Sequence, residues 1–204
     1  MKYKILFILI LTLNCKAIFA QEKSSVPPLY KFLKDNTDTT FVLKYESNWN
    51  LNPEYLILSK KRDTINAYVY KITTSLDQRI VIPHNFSYKF YQNTQVPVDV
   101  NPYFNPKYLS ADSLMNIWKE LTSLKPWSIN DDQIDGAGCP VSQDSLQRQI
   151  RDAASIKLSL ITKKGIKELS FYAPQYYEKE ICPGRTGRQL ILKIEELFIA
   201  YIKR

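Results

Sequence analysis

Histidine is almost missing from this chain. The 204 residues contain one, His84, together with only two Met and five Gly. One imidazole cannot build a multi-histidine metal centre. General-base chemistry would rest on His84 alone, in Ile82-Pro83-His84-Asn85, and no Gly-x-Ser-x-Gly elbow occurs to supply a nucleophile. A turn histidine is the plainer reading. Five Gly leave little material for phosphate-cradling loops, and no phosphate-loop pattern is present. Nucleic-acid motifs and fixed-period repeats are also missing. No cofactor and no metal site is expected.

Long apolar runs are scarce, and the clearest one is at the start. Lys2 and Lys4 precede an apolar stretch from Ile5 to Leu13, followed by Ala17-Ile18-Phe19-Ala20. Basic, apolar and small residues in that order form a secretory signal, here residues 1–20, cleaved after Ala20. The apolar run is about half of the ~20 residues that span a bilayer, so no stable transmembrane span is expected after cleavage. The expected location is secreted or periplasmic. The alternatives are an uncleaved signal acting as an anchor, or a lipid on Cys15, which bulky Asn14 disfavours. The leader takes Lys2, Lys4 and Lys16 out of a net charge of +8, leaving a mature charge of +5.

Two of the three cysteines remain, Cys139 and Cys182, with no Cys-x-x-Cys spacing. An even count in an oxidising compartment predicts a disulfide. Closing a loop of 43 positions contributes roughly 4 kcal/mol in the chain-entropy picture. Each cysteine precedes a proline, which favours extended backbone at both ends of the bridge. Without Cys-x-x-Cys, nothing local lowers a thiol pKa, so the pair reads as structural.

The mature chain divides into an exposed lead-in (21–39) and a single α+β domain (40–204). Within the lead-in, Leu29 to Leu33 suggest one helical turn. Alternating apolar residues predict strands at Thr40–Tyr45, Tyr55–Ser59 and Ile65–Ile72, and a hairpin of Ile156–Thr162 with Ile166–Tyr172. Residues 75–109, rich in Pro and Asn, read as a long loop or edge segments. Ser110 caps a helix to Thr122 with the stripe Leu114, Ile117, Trp118 and Leu121. A terminal helix runs from about Gly187 to Tyr201. Thr186 and Gln189 have the spacing of a capping box there, and Glu195 and Glu196 fall away from its apolar stripe. No regular βαβ alternation occurs. The expected fold is α+β, a mainly antiparallel sheet packed on one face by two helices.

Three clusters carry the functional expectations. Gly184, Arg185, Thr186, Gly187 and Arg188 bring two guanidinium groups to a helix start, where backbone amides attract anions. That site would bind an anionic partner, a glycan or an envelope protein, unless Glu178 or Glu180 satisfies it internally. Asp131, Asp132 and Asp135 partly resemble a calcium loop, but Ser142 stands where the closing Glu belongs. Aromatic side chains, with 14 Tyr and Trp49, Trp118 and Trp127 among them, could line a sugar or peptide groove. Tyr88, Tyr91, Tyr103, Tyr108 and Tyr172 contribute to that set, and Trp49 and the Tyr176-Tyr177 pair are its better surface candidates. The leading expectation is an exported, bacterial-type envelope or secreted protein with a non-enzymatic binding or structural role. The alternative is a secreted hydrolase pairing carboxylates among Glu178, Glu180, Asp131 and Asp135.

Overall fold

The computed structural model describes residues 26–47, 54–71, 100–136, 139, 150 and 152–203. The expected signal 1–20, with Cys15, lies outside them, as do Trp49, His84, Tyr88 and Tyr91.

Among the described residues the chain forms one six-stranded antiparallel sheet and four helices. In order these are α1 (Pro28–Asn36), β1 (Thr39–Glu46), β2 (Glu54–Lys61), β3 (Thr64–Lys71), β4 (Phe104–Lys107), α2 (Ala111–Ser123), β5 (Ser155–Thr162), β6 (Ile166–Tyr172), α3 (Pro174–Tyr176) and α4 (Thr186–Phe198). The strands lie in the order β4-β3-β2-β1-β5-β6. Thr40 pairs with Ser59 on one side and Ile161 on the other, which places β1 at the centre. Short β4 closes one edge, with Pro106 at a position a central strand would not accept.

The α+β expectation holds. α2 and α4 cover one face, where Phe41, Leu43, Leu56, Leu58, Leu158 and Phe171 meet Ile117, Leu121, Ile191, Ile194 and Phe198. Ser110 caps α2, its hydroxyl accepting from Ser113 N at 3.2 Å. The Trp118 ring, half-buried at the margin of this core, lies 5.2 Å from that of Phe41.

The opposite face is covered too, and here the expected exposed lead-in is corrected. α1 buries Leu29, Tyr30 and Leu33 against Val42, Ile57, Tyr70 and Ile161. The physical reason lies in the strands. Phe41-Val42-Leu43 and Leu56-Ile57-Leu58 are apolar on both faces, and an uncovered second face would leave Val42, Ile57 and Ile161 in water. The Tyr30 hydroxyl is 2.9 Å from Ser159 Oγ, which is 3.3 Å from Glu168 Oε1. Burial raises the Tyr30 pKa, so the phenol stays neutral.

A second correction concerns Glu195. It is buried on α4, accepting from the Tyr45 hydroxyl and from Gln175 Nε2, each at 2.6 Å. Burial, with the bond to Glu195 and its charge, raises the Tyr45 pKa.

Leu33→Ala should cost about 2–4 kcal/mol, as for a buried leucine, in urea unfolding followed by circular dichroism. A residue in an exposed lead-in would change stability by less than about 0.5 kcal/mol.

Candidate functional site

The expected anion site at the start of α4 is filled by the protein's own carboxylates. Gly184 N donates to Glu178 Oε1 at 2.8 Å and Arg185 N to Glu178 Oε2 at 3.3 Å. Gln189 Nε2 also donates to Glu178, at 2.8 Å. Gly187 N donates to Asp135 Oδ2 at 2.8 Å. Arg188 is 5% exposed. Its Nε donates to Asp132 Oδ1 at 2.8 Å, and its guanidinium lies 5.2 Å from the Tyr177 ring centre. The internal network with Glu178, held open by the sequence, is therefore formed. Glu180, its companion in that expectation, is exposed 3.5 Å from Lys179.

The glycines have structural duties. A Cβ on Gly187 would fall 2.2 Å from the Asn130 carbonyl oxygen, so only glycine lets α4 approach the chain there. Gly184 sits at φ +84°, a conformation costly for other residues. Thr186 is exposed as the first helical residue, and Arg185 holds the cap position without a side-chain cap bond. The expected capping box is thus not formed. Asp135 reaches the helix start from another loop, and the Gln189 side chain turns to Glu178.

The acidic loop works as a clamp. Asp131 accepts from Ser170 N (3.3 Å) and Gln133 N (3.1 Å). Asp132 accepts from Tyr172 N at 2.9 Å through the oxygen not used by Arg188. Three of the four acids expected to pair in a hydrolase cleft, Glu178, Asp131 and Asp135, are thus spent on backbone amides. Among the described residues no group of three or more His, Cys, Asp or Glu is placed to hold a metal ion.

Cys139 and Cys182 are joined as expected, with Cα atoms 5.6 Å apart. The bridge fastens the same loop to the chain entering α4. Arg185 Nε lies 3.1 Å from Cys182 Sγ, and Arg188 Nη1 lies 3.6 Å from Cys139 Sγ.

The candidate aromatics scatter. Trp118 is half-buried against the core, and Trp127, though exposed, packs edge-on against Phe41 at 5.2 Å. Tyr176 contacts Tyr177, which backs Arg188 and lies 6.1 Å from Tyr172, while Tyr108 is exposed.

A pocket that sequence reasoning missed opens on the other face. It has a volume of about 300 Å³ and lies between α1, strands β2 and β3, and the segment from Asn101 to Phe104. Phe32, Tyr68 and Phe104 form its aromatic wall, with Phe104 centred 5.5 Å from Phe32 and 5.4 Å from Tyr68. Ser59, Asn66 and Lys61 line its floor and rim, and among the described residues its lining contains no carboxylate. Burial raises the Tyr68 pKa, keeping the phenol a neutral donor. Alternation placed Asn66 and Tyr68 on one face, but only the fold brings Phe32 and Asn101 to them.

Burial alone would raise the Glu178 carboxyl. The bonds from Gly184 N, the Gln189 side chain and Arg185 N, with the Arg188 charge, outweigh it and hold that carboxyl below the usual range. A carboxyl lowered by folding contributes stability above its unfolded pKa of about 4.3, and the contribution is lost as pH falls through the folded value. Glu178→Gln should therefore cost about 1 kcal/mol at pH 7, the scale of a helix cap, and almost nothing near pH 2. Urea midpoints of both proteins across that range check this, and a gap independent of pH would contradict it. The chain matches no protein-family model and no curated protein sequence, so its functional reading rests on this geometry.

Proposed function

We propose that the chain is an exported, non-enzymatic binding protein of the envelope or the secreted fraction, and that its partner is an acidic saccharide. The observation that carries the reading is the pocket beside α1. Its volume of about 300 Å³ is at the small end of ligand pockets, which span roughly 300–1,000 Å³, and suits one sugar ring. Phe32, Tyr68 and Phe104 offer apolar faces, Asn66 and Ser59 offer hydrogen bonds, and Lys61 offers one positive charge. Aromatic surface with a few convergent polar groups is how small polar ligands are oriented. The leader-like start, the disulfide and the mature charge of +5 support export and an anionic partner. Arg188, first expected in the ligand site, belongs to the clamp, so the binding site is assigned to the pocket instead.

Calorimetry with a uronic-acid oligosaccharide and its neutral counterpart tests the reading. The acidic form should bind more tightly. Tyr68→Ala should weaken both at least tenfold, and Lys61→Ala should weaken the acidic form selectively, with circular dichroism unchanged. Absence of binding, or binding indifferent to both substitutions, would overturn the proposal.

A further inference from the structure

Taking the pocket beside α1 as the saccharide site, we propose that its ligand is a linear acidic polymer, which runs from the pocket across two hairpin tips at the same end of the sheet. The strand register defines that end. Thr39, the first residue of β1, pairs with Lys60 of β2 and with Thr162 of β5. The β2–β3 turn and the β5–β6 turn therefore flank the start of β1, two strand spacings or about 10 Å apart. Lys61 belongs to the first turn and lines the pocket, as do Asn36 and Thr37 from the loop between α1 and β1. Pocket and tips thus share one rim.

The charge at this end is one-sided. Residues 34–38, 60–63 and 163–165, all of them described, carry six cations and three acids. Lys61, Arg62, Lys163 and Lys164 are exposed. Among the described residues none of the six cations forms an ion pair with a carboxylate. Glu46 with Lys44 and Lys157, and Asp132 with Arg188, pair at the other end of the sheet, where Glu46 lies opposite Ser155 and Ser155 opposite Tyr172. The tips are also held in place. Asp38 accepts from Arg62 N at 2.6 Å, Asp38 N donates to the Lys60 carbonyl at 2.9 Å, and Lys163 Nζ donates to the Asp35 carbonyl at 2.8 Å. Both turns are thereby tied to one loop, so a ligand meets them at little ordering cost. A single ring in the pocket reaches Lys61 alone. Arg62, Lys163 and Lys164 lie beyond it, and repeated carboxylates along a chain would meet them in turn, within the ~8 Å over which charges act at physiological salt. A flat anionic bilayer would engage the tips but leave the aromatic wall of Phe32, Tyr68 and Phe104 unused.

Calorimetry compares galacturonic acid with a long linear oligogalacturonate, both counted per sugar unit. At low salt the oligomer should bind about tenfold more tightly or better. In about 1 M salt, where the screening length falls to ~3 Å, that gain should vanish. This comparison uses the wild type and needs no variant to fold. Arg62→Gln combined with Lys164→Gln should weaken the oligomer about tenfold and leave galacturonic acid unchanged. Arg62→Lys combined with Lys164→Arg should behave as wild type, which separates charge from fold. Equal affinity for the two ligands, or an oligomer indifferent to the loss of both charges, would overturn the proposal. Galacturonic acid that still binds and still depends on Tyr68 would then leave the pocket reading standing. Oligomer binding undiminished by Tyr68→Ala would overturn both.

Discussion

Burying a guanidinium without a counter-charge costs several kcal/mol, on the order of the penalty for breaking a buried ion pair. Arg188 faces that constraint on the inner side of α4. Asp132 meets it, and the same carboxylate accepts the Tyr172 amide, which β6 presents on its unpaired side. One acid therefore fixes a helix, a loop and a sheet edge together. Asp131 adds the Ser170 amide and Asp135 the Gly187 amide, so the loop extends its hold along both elements. The edge strand is shielded from pairing with other chains, and the start of α4 gains carboxylates where its dipole favours them. The disulfide is added to a junction that polar contacts have already assembled.

What the sequence made legible follows from local periodicity. The stripe of Ile117 and Leu121, the β5–β6 hairpin and the alternation in β3 are each set by neighbours a few residues away, and each is found close to its expected bounds. α1 reads as a minor turn in the sequence because a polar stretch with a Pro pair surrounds it. The missing clue lay in other strands, where Val42, Ile57 and Ile161 required a cover that two helices on one face could not give. Glu195 misled for a similar reason. A charged residue at the margin of an apolar stripe reads as exposed until Tyr45 and Gln175 arrive from elsewhere.

The candidate site shows the same division more sharply. Two arginines and two glycines at a helix start resemble a ligand cradle, and their types were read correctly. The sequence leaves an internal network with Glu178 open beside that reading, but it does not name Asp132 and Asp135, because these partners lie far along the chain, with Asp132 and Arg188 separated by 56 positions and Asp135 and Gly187 by 52. Gly187 is fixed by the Asn130 carbonyl, a contact with no local signature. The pocket was invisible for the converse reason. Phe32, Asn66, Tyr68 and Asn101 make no motif, and only the stacking of α1 on the sheet assembles them.

The Asp132–Arg188 pair organises the junction of loop, edge strand and helix. A double-mutant cycle in urea unfolding, using Asp132→Asn, Arg188→Gln and both together, addresses it most directly. The expected coupling is about 2 kcal/mol or more, toward the upper part of the range for residues in direct contact. Additivity within about 0.3 kcal/mol would show that the two side chains act independently and would contradict it.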